Sequence, residues 1–587
     1  MKAINRCGWL LALAATTVYL LTLEPTVSFW DCGEFIATAY NLQVPHPPGA
    51  PLYQLIAHLF CLLAGSHTQW VAACCNALSA VATGLTVMFL YWTLERLIRR
   101  KEETLRIHLG AVVGALCYLF CHTVWFSAVE SEVYALAMLI AAVIVWAAWR
   151  WRDSVRHGDS YSSRWLLLTA LLTGLGVCVH QITLLTLPMV AAVVAATLLR
   201  QHDRLSWRHL WRMTLLATLF LIIGLSPYLI VPIRAAGHPP LNFGNPDNME
   251  RFHAYLTRDT YEKAPLYPRM WRQKDKENAA VWSGGDNGLK GNLRYYATYQ
   301  LGYMYGRYLC DNFIARYNER RGHAVYYILP MLLALAGLVA MSRRRALFWS
   351  LLLLFFTAGP LLNFYLNHPC YEPRERDYAY VLSFYAVALW IGYGADSLLR
   401  WSRRRWQRGT VAVLLMAAPL LMACGNWDDH DRSGRWVAHD AAMNLLNSCD
   451  EGALLFTFGD NDTFPLWYVQ QVEGARPDVR CENVNLLGYR RFLELLDENR
   501  QTRPCYLTQY AYDALYDWFG NYLWLEGMTY RIAVTSGSGV DTAACIRHFS
   551  NDIHWHDTTG IFVEQIGRSF LEQYDKNKGK IVPLQNL

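Results

Sequence analysis

The sequence predicts a mainly α fold, a polytopic bundle of transmembrane helices followed by a C-terminal extracytoplasmic α/β domain. Three observations carry that prediction. The 587 residues are 54% hydrophobic and only 17% charged, well under the ~25% charge of ordinary soluble domains. The charges gather between long apolar runs and in the tail. The apolar runs recur at roughly the 20-residue length that crosses a hydrocarbon core. Basic residues sit at the ends of apolar segments, where orientation signals belong. The net charge of +6 therefore calls for no nucleic-acid partner.

The first run, Cys7–Leu23, follows Lys2 and Arg6 and leads into a large loop rather than a small-residue cleavage site. It reads as an uncleaved helix with a cytoplasmic N-terminus. Leu52–Ala64 is too short to span and fits an interfacial or re-entrant helix. Trp70–Leu94 spans and ends in a run containing Arg96, Arg99, Arg100 and Lys101. Further spans at 108–128, 133–150, 164–179, 182–199, 212–232, 324–341, 346–366, 379–399 and 410–424 bring the total to about eleven. If each crosses, the basic joints at 95–106, 150–156, 199–212, 342–345 and 400–408 all share one face, as the positive-inside rule requires.

Residues 1–424 are thus expected to form the membrane domain and 425–587 the soluble one. The opposite face receives the loops 24–69, 233–323 and 367–378, the Val129–Val133 turn, the bend at His180 and the tail. The 233–323 loop is too long for a bare connector and is expected to fold. In the tail, Gly452–Phe458 reads as a buried strand, Phe464–Val472 as a helix and Val479–Leu487 as a second strand, a βαβ unit. Of the fifteen cysteines, Cys32, Cys310, Cys370, Cys449, Cys481, Cys505 and Cys545 fall on this outer side. The four in the tail allow up to two disulfides. No Cys/His spacing is that of a zinc site, so no structural metal is expected, and no Walker-type loop or Rossmann fingerprint appears, so no cofactor is expected, although the Asp31/Glu34 pair could hold a metal.

The chemistry-bearing stretch is Ser28–Tyr53. Asp31 and Glu34 share one face if Asp31–Tyr40 is helical. The proline run from Pro45 to Pro51 excludes helix and presents His46 on an extended turn. Glu130 and Glu132 occupy a turn between apolar runs, and His180 interrupts an apolar hairpin. Arg374, Arg376 and Asp377 follow Asn363, Asn367 and His368 in another outer loop. Ionisable groups at membrane depth are costly and usually mark a pathway or a site. A carboxylate base, a histidine and phosphate-gripping arginines suit transfer from a phosphorylated lipid to a hydroxyl.

Plainer readings stand beside these. Asp31 fits a helix N-cap, His46 a hydrogen-bonded turn residue, and Glu130 and Glu132 solvated loop acids. His180 fits a satisfied buried histidine, and the Arg374–Asp377 run an internal salt-bridge cluster. Asp460 and Asp462 follow a strand, where ligand sites and Asx-turns both occur. The tyrosines from Tyr295 to Tyr308 fit packing or an interfacial belt better than a sugar platform.

The block T-V-S-F-W-D-C-G-E-F-I-A-T-A-Y-N-L-Q-V-P-H-P-P-G-A-P-L-Y, with V-E-S-E-V-Y-A-L, P-R-E-R-D-Y and F-T-F-G-D-N-D-T-F-P-L-W-Y, resembles a bacterial family of large membrane proteins. That family is similar to the vertebrate transmembrane protein O-mannosyltransferases of plexin-type receptors. The resemblance covers nearly the whole chain. It implies a GT-C-like glycosyltransferase fold and a polyprenyl-phosphate sugar donor. It also implies an exported protein acceptor modified on Ser or Thr, and a site on the periplasmic face of the bacterial inner membrane. Asp31 takes the position of the catalytic acid in the first outer loop, with Glu34 its nearest rival. Arg374 or Arg376 takes that of the phosphate-binding cation. Many bacterial members extend further, with more soluble domain. The rival functions are transfer to a lipid or envelope glycan, a transporter or flippase, and a non-catalytic scaffold. A transporter would place polar groups near mid-membrane, often with internal symmetry. Here they collect at one face.

Overall fold

The computed structural model describes residues 2–99, 108–159, 161–199, 207–318, 321–372, 374–402, 404–487, 489–499, 502–508, 510–511 and three short strands beyond residue 527. Cys545 and parts of the basic joints at 100–106, 200–206 and 403 lie outside the described residues.

The chain is an integral membrane protein. Among the described residues eight helices are long and apolar enough to span, and nine if a bent pair is one span. In chain order the early helices are α1 (Lys2–Leu21), α2 (Cys32–Asn41), α3 (Pro51–Cys61), α4 (Val71–Ile98), α5 (Leu109–Leu119), α6 (His122–Ala128) and α7 (Val133–Arg156). They continue through α8 (Arg164–Val177), α9 (Leu187–Leu198), α10 (Trp207–Leu225), α11 (Ile230–Ala235) and α12 (Met249–Thr257). The bent pair is α5 with α6, at 64°. Two expected spans, at 164–179 and 324–341, are the shorter apolar helices α8 and Leu329–Met341. The second starts late because residues 323–326 pair as a strand and Pro330 sits in the first helical turn, a position that suits its fixed φ and missing N–H. The short α3 is the expected non-spanning piece.

The helix Val381–Trp401 runs through the centre and is buried along most of its length, whereas the 211–235 span keeps an almost wholly exposed apolar surface. That contrast follows from composition, since only lipid accepts so many exposed Leu and Ile side chains. The basic joints converge at one end of the bundle. Arg96 pairs with Asp153 at 2.9 Å, Arg344 donates to the Leu97 carbonyl at 2.8 Å, and Arg400 donates to that of Ile98 at 3.4 Å. The residues of the expected site lie at the other end.

The 233–323 segment is folded, carrying α12, further short helices and a hairpin of β1 (Ala315–Asn318) and β2 (His323–Tyr326). In the tail, β3 (Leu454–Thr457), β4 (Arg480–Asn483), β5 (Cys505–Leu507) and β6 (Met528–Tyr530) form a parallel sheet in the order β4-β3-β5-β6. The helix Asp460–Gln471 joins β3 to β4, the expected βαβ unit. The strand expected to reach Leu487 stops at Asn483. Asn483 donates to the Phe458 carbonyl and accepts from Leu486 N–H, which turns the chain into a helical turn. Cys32, Cys310, Cys370, Cys449, Cys481 and Cys505 are free thiols.

Candidate active site

Asp31 stands at the N-cap of α2 but does not cap it. Its carboxylate instead accepts from Arg374, Nη1 to Oδ2 at 2.9 Å, while Arg374 Nη2 donates to Glu132 Oε1 at 2.7 Å. The guanidinium lies over the rings of Trp30 and Tyr378, at 5.1 and 4.7 Å, so cation–π contact adds to the double ion pair. Trp30 holds φ at 61°, costly for a bulky residue, and its N–H donates to Asn461 Oδ1 at 2.8 Å. The G-D-N-D-T loop is thereby docked onto the W-D-C-G-E block. Gly33 makes that docking possible, because a Cβ there would lie 2.2 Å from the Phe464 carbonyl oxygen.

One turn along α2, Glu34 is wholly buried. Both its oxygens serve His46, accepting from the backbone N–H at 2.5 Å and from Nδ1 at 2.6 Å. Burial resists protonation of His46. The charge and hydrogen bond of Glu34, aided by Asp31, outweigh it and raise the imidazole to about 9, leaving it a cation at neutral pH. Gly49, at φ 70°, lets the following turn accept Tyr255, whose hydroxyl donates to the Pro45 carbonyl at 2.5 Å. A segment of the 233–323 insertion is thus clamped over His46.

His180 lies on the adjoining wall. Its Nδ1 accepts from Ile182 N–H at 3.2 Å and its ring meets Tyr134 edge-on at 5.1 Å, with Tyr134 in turn 4.5 Å from Tyr378. Burial, then the charges of Arg258 and His46, press it down to about 4, so it is neutral. Asp460, in the first turn of the tail helix, faces the same group. Its surroundings crowd it although its carboxylate edge is open, and the charges of Asp31 and Glu34 add to this, raising it to about 6.

Three of the expected site residues are held elsewhere. Glu130 accepts from Arg432 at 2.6 Å and from Ser28 at 3.2 Å. Arg376 donates to Glu372 at 2.8 Å and to the Tyr378 hydroxyl at 3.2 Å. Asp377 accepts from Thr123 at 2.5 Å inside the bundle. Asp462 is held locally, accepting from Phe458 N–H and the Thr508 hydroxyl. The tyrosine stripe is a stack, Tyr295 on Tyr299 at 5.4 Å and Tyr299 on Tyr303 at 5.7 Å. Two sets of ligand atoms lie within 4.8 Å of one another, Asp31 with Glu34 and His46, and Cys32 with Glu130 and Glu132. Either set has donors that suit a cation, but Arg374, His46 and Arg432 already face these carboxylates.

Sequence reasoning passed over Arg258 and Arg432, which nothing local distinguishes, and gave no role to Asn461, although it stands between Asp460 and Asp462. The contact that joins the tail to the membrane helices was not expected.

Residues 31–203 match the family model of the protein O-mannosyl-transferase TMEM260 N-terminal domain, and residues 438–492 that of TMEM260-associated domain 2. The chain is similar to the TMEM260 proteins over these two regions. It is 22% identical over 533 residues to protein O-mannosyl-transferase tmem260 of Dictyostelium discoideum, covering 84% of this chain and 58% of that one. It is 24% identical over 488 residues to the mouse protein O-mannosyl-transferase TMEM260, covering 82% and 63%. The chain therefore spans only part of the length of these curated relatives. Of solved structures, ArnT from Cupriavidus metallidurans bound to undecaprenyl phosphate aligns with a TM-score of 0.49 at 11% identity, over 87% of this chain and 95% of that one. The S. cerevisiae Pmt1-Pmt2 complex bound to the sugar donor aligns with a TM-score of 0.32 at 19% identity, over 41% and 34%. The two TMEM260-type regions supply opposite sides of the site, Asp31, Glu34, His46, Glu132 and His180 from the first and Asp460 from the second.

Proposed function

We propose that the chain is an inverting membrane glycosyltransferase that carries mannose from a polyprenyl-phosphate donor to Ser or Thr hydroxyls of exported proteins. The reading rests on one observation above all. Asp31, the first residue of the TMEM260-type region, is a partly open carboxylate fixed by Arg374 beside a cationic His46, at the end of the bundle opposite the basic joints. The names of the curated relatives supply the acceptor and the sugar.

In this mechanism Asp31 accepts the proton of the acceptor hydroxyl. The oxygen attacks the anomeric carbon, the bond from that carbon to the phosphate oxygen breaks, and lipid phosphate leaves with the electron pair. Among the described residues Asp31 Oδ1 has no protein partner, so it is available to the hydroxyl. Glu34 acts through His46, accepting from Nδ1–H of the cationic ring and holding it beside Asp31, with Nε2–H left to donate to substrate. Residues 1–424 form the catalytic membrane domain and 425–587 a soluble domain, both site and tail lying outside the cytoplasm, in bacteria on the periplasmic face of the inner membrane. The positive-inside rule supports that orientation.

The test is transfer of radiolabelled mannose from polyprenyl-phosphate mannose in membranes holding wild type or Asp31→Asn. Label entering protein in wild type and lost in the variant supports the reading. Label entering only lipid or glycan replaces the acceptor, and no transfer by wild type overturns the reading.

A further inference from the structure

We propose that Arg258, rather than Arg374 or Arg376, is the cation that receives the phosphate of a polyprenyl phosphate, whose chain lies along the groove beside Pro45. The inference rests on the lipid-phosphate donor of the proposed function. A phosphate is held by a cation whose charge is not already taken. Arg374 spends its guanidinium on Asp31 and Glu132, Arg376 on Glu372, and Arg307 on Glu375. Arg269 is buried and bound to Gln300. Among the described residues the Arg258 side chain makes no hydrogen bond or ion pair. It lies 4.3 Å over the Tyr261 ring and is exposed.

Its position is enforced. Arg258 ends α12 in the left-handed region, at φ 54°. The Tyr255 hydroxyl, three residues back, is bonded to the Pro45 carbonyl. The C-terminus of α12 is therefore held against the His46 turn. Arg258 is near enough for its charge to oppose protonation of both His46 and His180.

Beside Pro45 lies a shallow groove lined by Val44, Gln54, Leu55, Ile230 and Val231, with Arg234 at its edge held by the Leu42 and Asn41 carbonyls. Gln54 is 4% exposed, and neither its amide nitrogen nor its oxygen has a partner. Leu229 and Ile233, both exposed, continue the apolar wall outward. An unpaired cation at one end and an apolar wall along the side match the two parts of a lipid phosphate.

The experiment uses the full chain in nanodiscs, titrated with sugar-free polyprenyl phosphate and read by native mass spectrometry, alongside donor KM and kcat with polyprenyl-phosphate mannose. Arg258→Ala is expected to weaken lipid-phosphate binding about tenfold or more and to raise donor KM by a similar factor, with a smaller loss in kcat. Arg258→Lys recovers part of the binding. The unfolding temperature stays that of wild type, since the side chain holds nothing in place. Equal binding by Arg258→Ala and wild type, or no binding by wild type, overturns the inference. Arg258-dependent binding without sugar transfer upholds it and removes the mannosyltransferase reading. Transfer with an unchanged donor KM in Arg258→Ala does the reverse.

Discussion

Arg374 and Arg432 each bridge two carboxylates, Asp31 with Glu132 and Glu24 with Glu130, and the bridged acids Glu130 and Glu132 are two residues apart. The Arg432 cluster is sealed. Its guanidinium side chain is 3% exposed, its partners 1% and 5%, and Phe126 lies 3.9 Å above it. The Arg374 cluster is open on one side, with Arg374 at 13%, Asp31 at 20% and His46 at 25%. The same arrangement of charges thus serves two ends. Where water and substrate are excluded, it locks the entry to α2 against the start of the tail. Where one edge is open, it holds a carboxylate ready without consuming both of its oxygens.

The sharpest way to break this contrast is to neutralise one acid or cation in each cluster. Asp31→Asn is expected to lower transfer by ~10²- to 10⁴-fold, the usual worth of a general base, with little change in unfolding temperature, as read by label incorporation and a thermal melt. Arg432→Met is the converse. It strands Glu24 and Glu130 in the interior, so the expected loss is ~3–5 kcal/mol of stability, seen as a lower melting temperature in detergent. If Arg432→Met melts like wild type while Asp31→Asn unfolds, the assignment of roles is inverted.

A pH profile sharpens the comparison further. His46 is raised from 6.5 to about 9 in the folded protein. The stability that it draws from Glu34 is complete below about pH 6.5 and is lost as pH climbs through about 9. Melts of wild type across that window are expected to slope downward, and melts of His46→Gln to lose that slope. The smallest effect expected is at Asp460, whose carboxyl is raised to about 6. Asp460→Asn should abolish a weak inflection near that pH in the rate profile and change the rate at pH 8 by only a few fold.

Much of this was legible in the chain. Span positions follow from the hydrocarbon thickness, and among the described residues nine of the eleven expected spans are long enough to cross if the bent pair counts as one, while two are shorter helices. Asp31, Glu34 and His46 stood out because acids and a proline-bound histidine interrupt an apolar pattern, and the helix that follows Asp31 brings the first two onto one face. Glu130, Arg376 and Asp377 carried the same local signal yet belong to ion pairs or hydrogen bonds away from Asp31. Arg258 carried none, being one arginine in a polar loop.

The physical reason is range. Hydrophobic length, helical periodicity and proline stiffness are properties of neighbouring residues, so the sequence by itself determined the spans, the α2 face and the rigid His46 turn. Which arginine keeps its charge depends on pairings across the chain: Arg374 with Asp31, Arg432 with Glu24, Asn461 with Trp30. Those partners are hundreds of residues apart, and only the tertiary structure decided among them.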